Sequence, residues 1–268
     1  SRAESEAEAR RLAEDGQMLA NRISDHLIRH REVLASVRNL VVATPTFTFA
    51  EFERFTRYAL HENPDIFALS FNDLITAPER AAYEARIAAQ LSLQDFHIKE
   101  RNAQGQLVPA APAAQHVAVR FIVPMEKNLL AVGYDIFSEP VRRRAILSAM
   151  DRGAMSITAP LWLVQDQRRR IGLLELYPVY RSTASDISSR NTQPMGFAVG
   201  VLKVDEMITI ALNGMVPPGL IMQLRDTDAP VESSLLYRSD VSALDARPLN
   251  SADVAWSRQE REELLDTA

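Results

Sequence analysis

Residues 131–165 read AVGYDIFSEPVRRRAILSAMDRGAMSITAPLWLVQ, and their pattern sets the fold expected of the whole chain. The stretch starts apolar, and that run ends at Gly133-Tyr134-Asp135. It turns at Ser138-Glu139-Pro140 into a helix. Pro140 suits a first helical turn, where its missing N–H costs nothing. Glu139 places negative charge at the positive end of that helix. Ile146, Leu147 and Met150 recur three and four apart and predict one apolar face. Arg142, Arg143, Arg144 and Asp151 predict the opposite, solvated face. Gly153 is the expected left-handed stop. The polar segment 156–160 then leads into a strand at 161–164. The predicted unit is strand, turn, helix, strand, with backbone and hydroxyl groups of 156–160 available to a ligand.

Upstream, residues 4–43 hold no proline and a single glycine, Gly16. Leu12, Leu19, Ile23, Leu27, Leu34, Val37 and Val41 recur at three-, four- and seven-residue steps, which predicts one long helix. Such a helix packs on its own domain or on a second copy of itself, and a dimer seam is the expectation. His26 and His30 lie one turn apart, a spacing able to hold a metal, but no third ligand is evident in the sequence and polar surface is expected. A second helix is predicted over 50–61, with Phe52, Phe55 and Leu60 inward. A buried strand follows at 66–72. A third helix runs to residue 89, with Thr76 as N-cap and Glu79 as its capping-box partner. Strands are expected at 96–100, 116–124, 129–135, 171–176 and 195–204. A short helix at 205–212 and strand-like segments at 220–226 and 234–237 complete the pattern. Arg168, Arg169 and Arg170 read as a solvated hairpin tip. Strands after helices, in this order, predict an α+β fold with an antiparallel sheet.

The chain has 268 residues, a formal net charge of −5 and 47% hydrophobic residues. That acidity argues against a nucleic-acid footprint. With no cysteine there is no disulfide and no thiolate nucleophile. No phosphate-binding, zinc-protease, nucleophile-elbow or dinucleotide motif occurs, so a binding module is expected rather than an enzyme, with no cofactor. Asp226 and Asp228 read as turn residues rather than calcium ligands.

The ordered motifs G-Y-D-x-x-S-E-P-x-R-R at 133–143, T-A-P-x-x-L-V-Q at 158–165 and Tyr177-Pro178-Val179-Tyr180 resemble the CHASE domain. So do Asn63-Pro64-Asp65-Ile66, Leu69-Ser70-Phe71-Asn72 and Gly196-Phe197-Ala198-Val199-Gly200. The resemblance spans about residues 50–210. It implies the extracytoplasmic sensor module of a membrane-bound histidine kinase or diguanylate cyclase, cut from between two membrane helices. On this reading the chain is the periplasmic part of an inner-membrane protein. The alternative is a structural dimerisation stalk without its own ligand.

The resemblance further implies a long N-terminal helix followed by two PAS-like antiparallel-sheet subdomains. Residues 1–62 would form the two first helices. Residues 74–204 would form a membrane-distal, ligand-binding subdomain, and 63–73 with 205–268 a membrane-proximal one. The charged end of the chain departs from the aromatic strand expected there. The pocket positions carried over are Thr158, Val164, Leu176, Phe197 and Gly200. Arg120, Tyr134, Asp135, Arg142 and Arg143 are added as polar or aromatic candidates. In cytokinin receptors an acidic side chain at the position of Arg142 holds adenine; an arginine cannot accept that hydrogen bond. Arg142 and Arg143 instead favour an anionic small molecule. The expected partners are that ligand, a second copy of the chain through the N-terminal helix, and the membrane.

Overall fold

A computed structural model describes residues 2–44, 46–163, 170–181, 193–229, 231 and 234–240. Helix α1 runs Arg2–Ala43. Its buried positions Leu19, Ile23, Leu27, Leu34, Val37 and Val41 repeat at three, four and seven, so one stripe faces inward. That stripe lies on the chain's own sheet. Leu34, Val37 and Val41 are fully buried, each contributing about 1.5–3 kcal/mol. The dimer seam expected through Leu19, Ile23, Leu27 and Leu34 is therefore corrected: those side chains are consumed by the intramolecular core. Residues 2–18 extend beyond it and are exposed or half-exposed, Leu12 and Met18 included.

Helix α2 (Phe49–Glu62) begins with a capping box in which Thr48 and Glu51 exchange hydrogen bonds. It turns Phe52 and Thr56 inward, whereas Phe55, expected inside, faces solvent. Strand β1 (Ala68–Thr76) leads to a short 3-10 turn and α3 (Arg80–Leu91). The predicted Thr76–Glu79 box is present. Strands β2 (Lys99–Arg101) and β3 (Leu107–Pro109) form a small hairpin, and β4 spans Gln115–Val123.

Residues 129–135, expected as a strand, instead follow α4 (Met125–Asn128) as a 3-10 turn and a tight bend. The cause is Gly133, at φ +79°, where an added Cβ would sit 2.9 Å from the Phe96 ring. Only isolated bridges remain there, from Tyr134 to Lys99 and from Asp135 to Ala118. Helix α5 is Pro140–Arg152, with Glu139 capping its start and Gly153 ending it at φ +64°. Then come β5 (Ser156–Ile157), β6 (Leu161–Trp162), β7 (Ile171–Val179), β8 (Gly196–Lys203), α6 (Val204–Leu212), β9 (Gln223–Arg225) and β10 (Leu235–Arg238).

The main sheet has the order β4-β1-β8-β7-β5, with β6 also on β7, and every pairing is antiparallel. Its first face carries Leu69, Phe71, Phe121, Leu173, Ala198 and Leu202 against α1, α2 and α6. Its second face carries Val117, Val119, Leu174, Leu176, Phe197 and Val199, covered by α3, α5 and the bend at 131–136. Coverage on both faces explains strands that read as nearly continuous apolar runs.

The same fact corrects the expected partition. Strand β1, expected with the C-terminal segment, is buried on both faces, as suits the middle of a covered sheet, and it pairs β4 and β8. What accompanies α6 outside the main sheet is the β9–β10 hairpin, with Leu236 packed into the α1 cluster. The charged C-terminal tail and the arginines at 168 and 169 lie outside the described residues.

Candidate functional site

The predicted site residues divide between the two faces of the sheet. On the second face, α5 presents Arg142, Ala145, Ile146 and Ala149 as its buried stripe, not Leu147, which is exposed. Arg142 was expected to lie on a solvated face and is instead 5% exposed. Its Nη1 donates to Glu139 Oε2 at 3.3 Å and its Nη2 to the Trp162 carbonyl at 3.0 Å. The guanidinium lies 5.6 Å from the centre of the Tyr134 ring. Burial pushes its pKa down, while Tyr134 and Glu139 act the other way. Glu139 is itself committed, accepting from the Val141 and Arg142 amides as the α5 cap. Tyr134, Leu176 and Phe197 are buried in the same cluster.

Thr158 is also buried, but as a clamp. Its amide donates to the Leu174 carbonyl, and its Oγ1 accepts from the Leu174 amide at 3.0 Å. Asp135 organises the bend: Oδ1 accepts from the Val117 and Phe137 amides, and Oδ2 sits 2.7 Å from His116 Nδ1. Arg143 is exposed and donates to the Phe137 and Ser138 carbonyls. Val164 lies outside the described residues. Beside the bend, a cleft of about 320 Å³ is lined by Phe96, His97, Lys99, Leu107, Leu129 and Val132 among others, and burial lowers the Lys99 ammonium pKa.

Arg120 and Gly200 belong to the other face. The Arg120 guanidinium lies over the rings of Phe47 and Phe121, at 4.4 and 4.7 Å. It donates to the Phe47 carbonyl and pairs with buried Asp73 at 3.5 Å. Gly200 makes room for Glu175: an added Cβ would lie 3.0 Å from Glu175 Oε2. Glu175 in turn meets His30, since Oε1 is 3.2 Å from Nδ1. The other ring nitrogen of His30 is 2.7 Å from Asp65 Oδ2, and His26 Nδ1 is 2.5 Å from the same oxygen.

Sequence reasoning found the two histidines but not Asp65 or Glu175. A lone acid inside the apolar run IGLLELYPV was the available signal, because a charge on a strand covered on both faces demands a partner.

The family model described as CHASE domain matches residues 45–237. No curated protein matches the chain. Among solved structures, "Methyl-accepting Chemotaxis protein X" is 15% identical with a TM-score of 0.50, over 90% of this chain and 80% of that one. The ligand-binding domain of the Pseudomonas aeruginosa PAO1 amino acid chemoreceptor PctC, in complex with GABA, is 15% identical with a TM-score of 0.49, over 86% and 76%. That of the Pseudomonas fluorescens chemoreceptor CtaA, in complex with L-isoleucine, is 14% identical with a TM-score of 0.49, over 88% and 70%. The likeness to the methyl-accepting chemotaxis protein concerns fold: an α+β, PAS-like antiparallel sheet behind a long N-terminal helix. Among the described residues no helix is long and apolar enough to cross a membrane.

Proposed function

The chain belongs to the CHASE domain family, extracytoplasmic sensor modules of membrane receptors, and on that premise we propose that it binds a small anionic molecule between α5 and the second face of its sheet. Arg142 takes the anionic group, and Tyr134, Leu176 and Phe197 form the apolar wall. The observation that carries this is the burial of the Arg142 guanidinium beside the Tyr134 ring. Among the described residues its one carboxylate partner is Glu139, at 3.3 Å, already engaged as a helix cap. A carboxylate from a ligand would complete the neutralisation with a two-pronged hydrogen-bonded geometry that suits arginine. The bound state is passed along α1 to a cytoplasmic histidine kinase or diguanylate cyclase.

Isothermal titration with a panel of small carboxylates and adenine derivatives tests the reading. We expect a carboxylate to bind, and Arg142→Ala to weaken it about ten- to a hundredfold, the value of a lost charge-assisted hydrogen bond. Arg143→Ala, at an exposed site, leaves affinity unchanged. Adenine-derivative binding that survives Arg142→Ala removes the anion assignment.

Self-association is the second part of the reading, and it uses the projecting residues 2–18, where Leu12 and Met18 are exposed. Single cysteines placed there in the full-length receptor crosslink between subunits on one preferred face. Crosslinking without a preferred face leaves this segment as a stalk.

A further inference from the structure

His26, His30 and Asp65 converge on the inner side of α1 in a way that protein hydrogen bonding does not complete. Both imidazoles address a single oxygen, Asp65 Oδ2, at 2.5 and 2.7 Å. Their ligand-type atoms all lie within 4.8 Å of one another. The two histidines sit one turn apart on a rigid helix, and Asp65 comes from the turn before β1. Glu175, fully buried on β7, meets the remaining nitrogen of His30 and keeps Oε2 without a hydrogen-bond partner.

Two imidazoles and two carboxylates therefore share one largely buried place. A divalent ion fits that set: with both imidazoles neutral, the two carboxylates balance its charge.

We propose that His26 Nδ1, His30 Nε2 and Asp65 Oδ2 bind a divalent transition-metal ion of the zinc type, with Glu175 fixing the His30 ring. Two imidazoles and one carboxylate are a donor set that suits zinc and disfavours calcium or magnesium, which take oxygen ligands. Glu175 accepting from His30 Nδ1 leaves the Nε2 lone pair directed at the ion, the carboxylate–histidine–metal arrangement that fixes tautomer and orientation. Tetrahedral ligands at zinc distances stand about 3.3 Å apart. The Asp65 oxygen therefore withdraws from its present contacts by less than an ångström. The His26 side chain, 15% exposed, gives access from solvent and leaves the fourth position to water. The ion would tie α1 to the turn before β1 directly and to β7 through Glu175.

The chain is stripped with a chelator and titrated with Co²⁺, then with Zn²⁺ in competition. We expect one Co²⁺ per chain with the visible spectrum of a tetrahedral site, displaced by Zn²⁺. His26→Ala, at a partly exposed position, weakens Co²⁺ more than a hundredfold while circular dichroism stays native. The isosteric Glu175→Gln weakens it about 10–100-fold and keeps the spectrum. The absence of a tetrahedral spectrum in the wild-type chain overturns the proposal. So does a spectrum that His26→Ala and Asp65→Asn both leave unchanged.

Discussion

Replacing His30 by alanine is expected to lower the stability of the chelator-stripped chain by about 3–5 kcal/mol near neutral pH, because it leaves two buried carboxylates without their cation. His30 is wholly buried. Burial alone would lower its pKa, but Glu175 and Asp65 override that and hold it at about 9, above the ordinary 6.5. Asp65 shows the converse: burial would raise it, yet His30 and His26 hold it at about 2, below 3.8. The two shifts fix the signs of the pH dependence. A raised histidine stabilises the fold fully below its unfolded pKa of 6.5, and that contribution is lost as pH rises through about 9. A depressed carboxylate stabilises above 3.8, and its contribution is lost as pH falls through about 2. Urea unfolding of the metal-free wild type should therefore show its maximum between these limits and a decline on the order of 3 kcal/mol towards alkaline pH. The His30→Ala variant should lack the alkaline decline. An unchanged alkaline slope would mean that His30 is not the charged centre of the cluster.

The parts of this fold that the sequence announces are those written within a few residues. The Thr76–Glu79 box, the Glu139 cap with Pro140 and the Gly153 stop each depend on neighbours in the chain, and each is present. The periodicity of α1 is equally local. Its packing partner is not: an apolar stripe specifies that something covers it, and here β7, β8 and α6 do. The site was harder for two reasons. Asp65 and Glu175 lie 35 and 145 residues from His30, a separation no spacing rule spans. The pocket positions also broke the pleat. Phe197 and Gly200 are three apart on β8, so they face opposite sides of the sheet, a mismatch visible in the sequence itself. On α5, Arg142 with Ala145, Ile146 and Ala149 follows helical spacing as well as Leu147 does with its neighbours. The larger side chain drew the stripe to the wrong side. The register shift between Phe71 and Asn72 has no comparable mark in the sequence.

Gly196 is the glycine least able to accept a side chain. Gly196 starts β8 opposite Asp73 of β1 and Val179 of β7. A Cβ there would stand 2.3 Å from the Asn72 carbonyl oxygen and 2.8 Å from Phe71 Cζ. The first contact is with backbone in a strand paired on both edges. Relieving it means moving β1 away from β8, and Phe71 is itself locked edge-on against Phe47 at 5.8 Å. Gly196→Ala is expected to cost more than about 3 kcal/mol, the upper range of overpacking, and Gly196→Val to prevent folding. Two other glycines calibrate the effect. Gly153→Ala meets nothing within 4 Å and pays only for its left-handed backbone, roughly 1 kcal/mol. Gly200→Ala meets the Glu175 carboxylate at 3.0 Å, a side chain able to yield in part, and should fall between them. Urea midpoints of the three alanine variants should rank 153 above 200 above 196. Were Gly196→Ala as mild as Gly153→Ala, β8 would not lie in this register. Phe197 would then leave the face under α5 and Gly200 the face beside Glu175, and the wall around Arg142 would lose its footing together with the room for the His30 cluster.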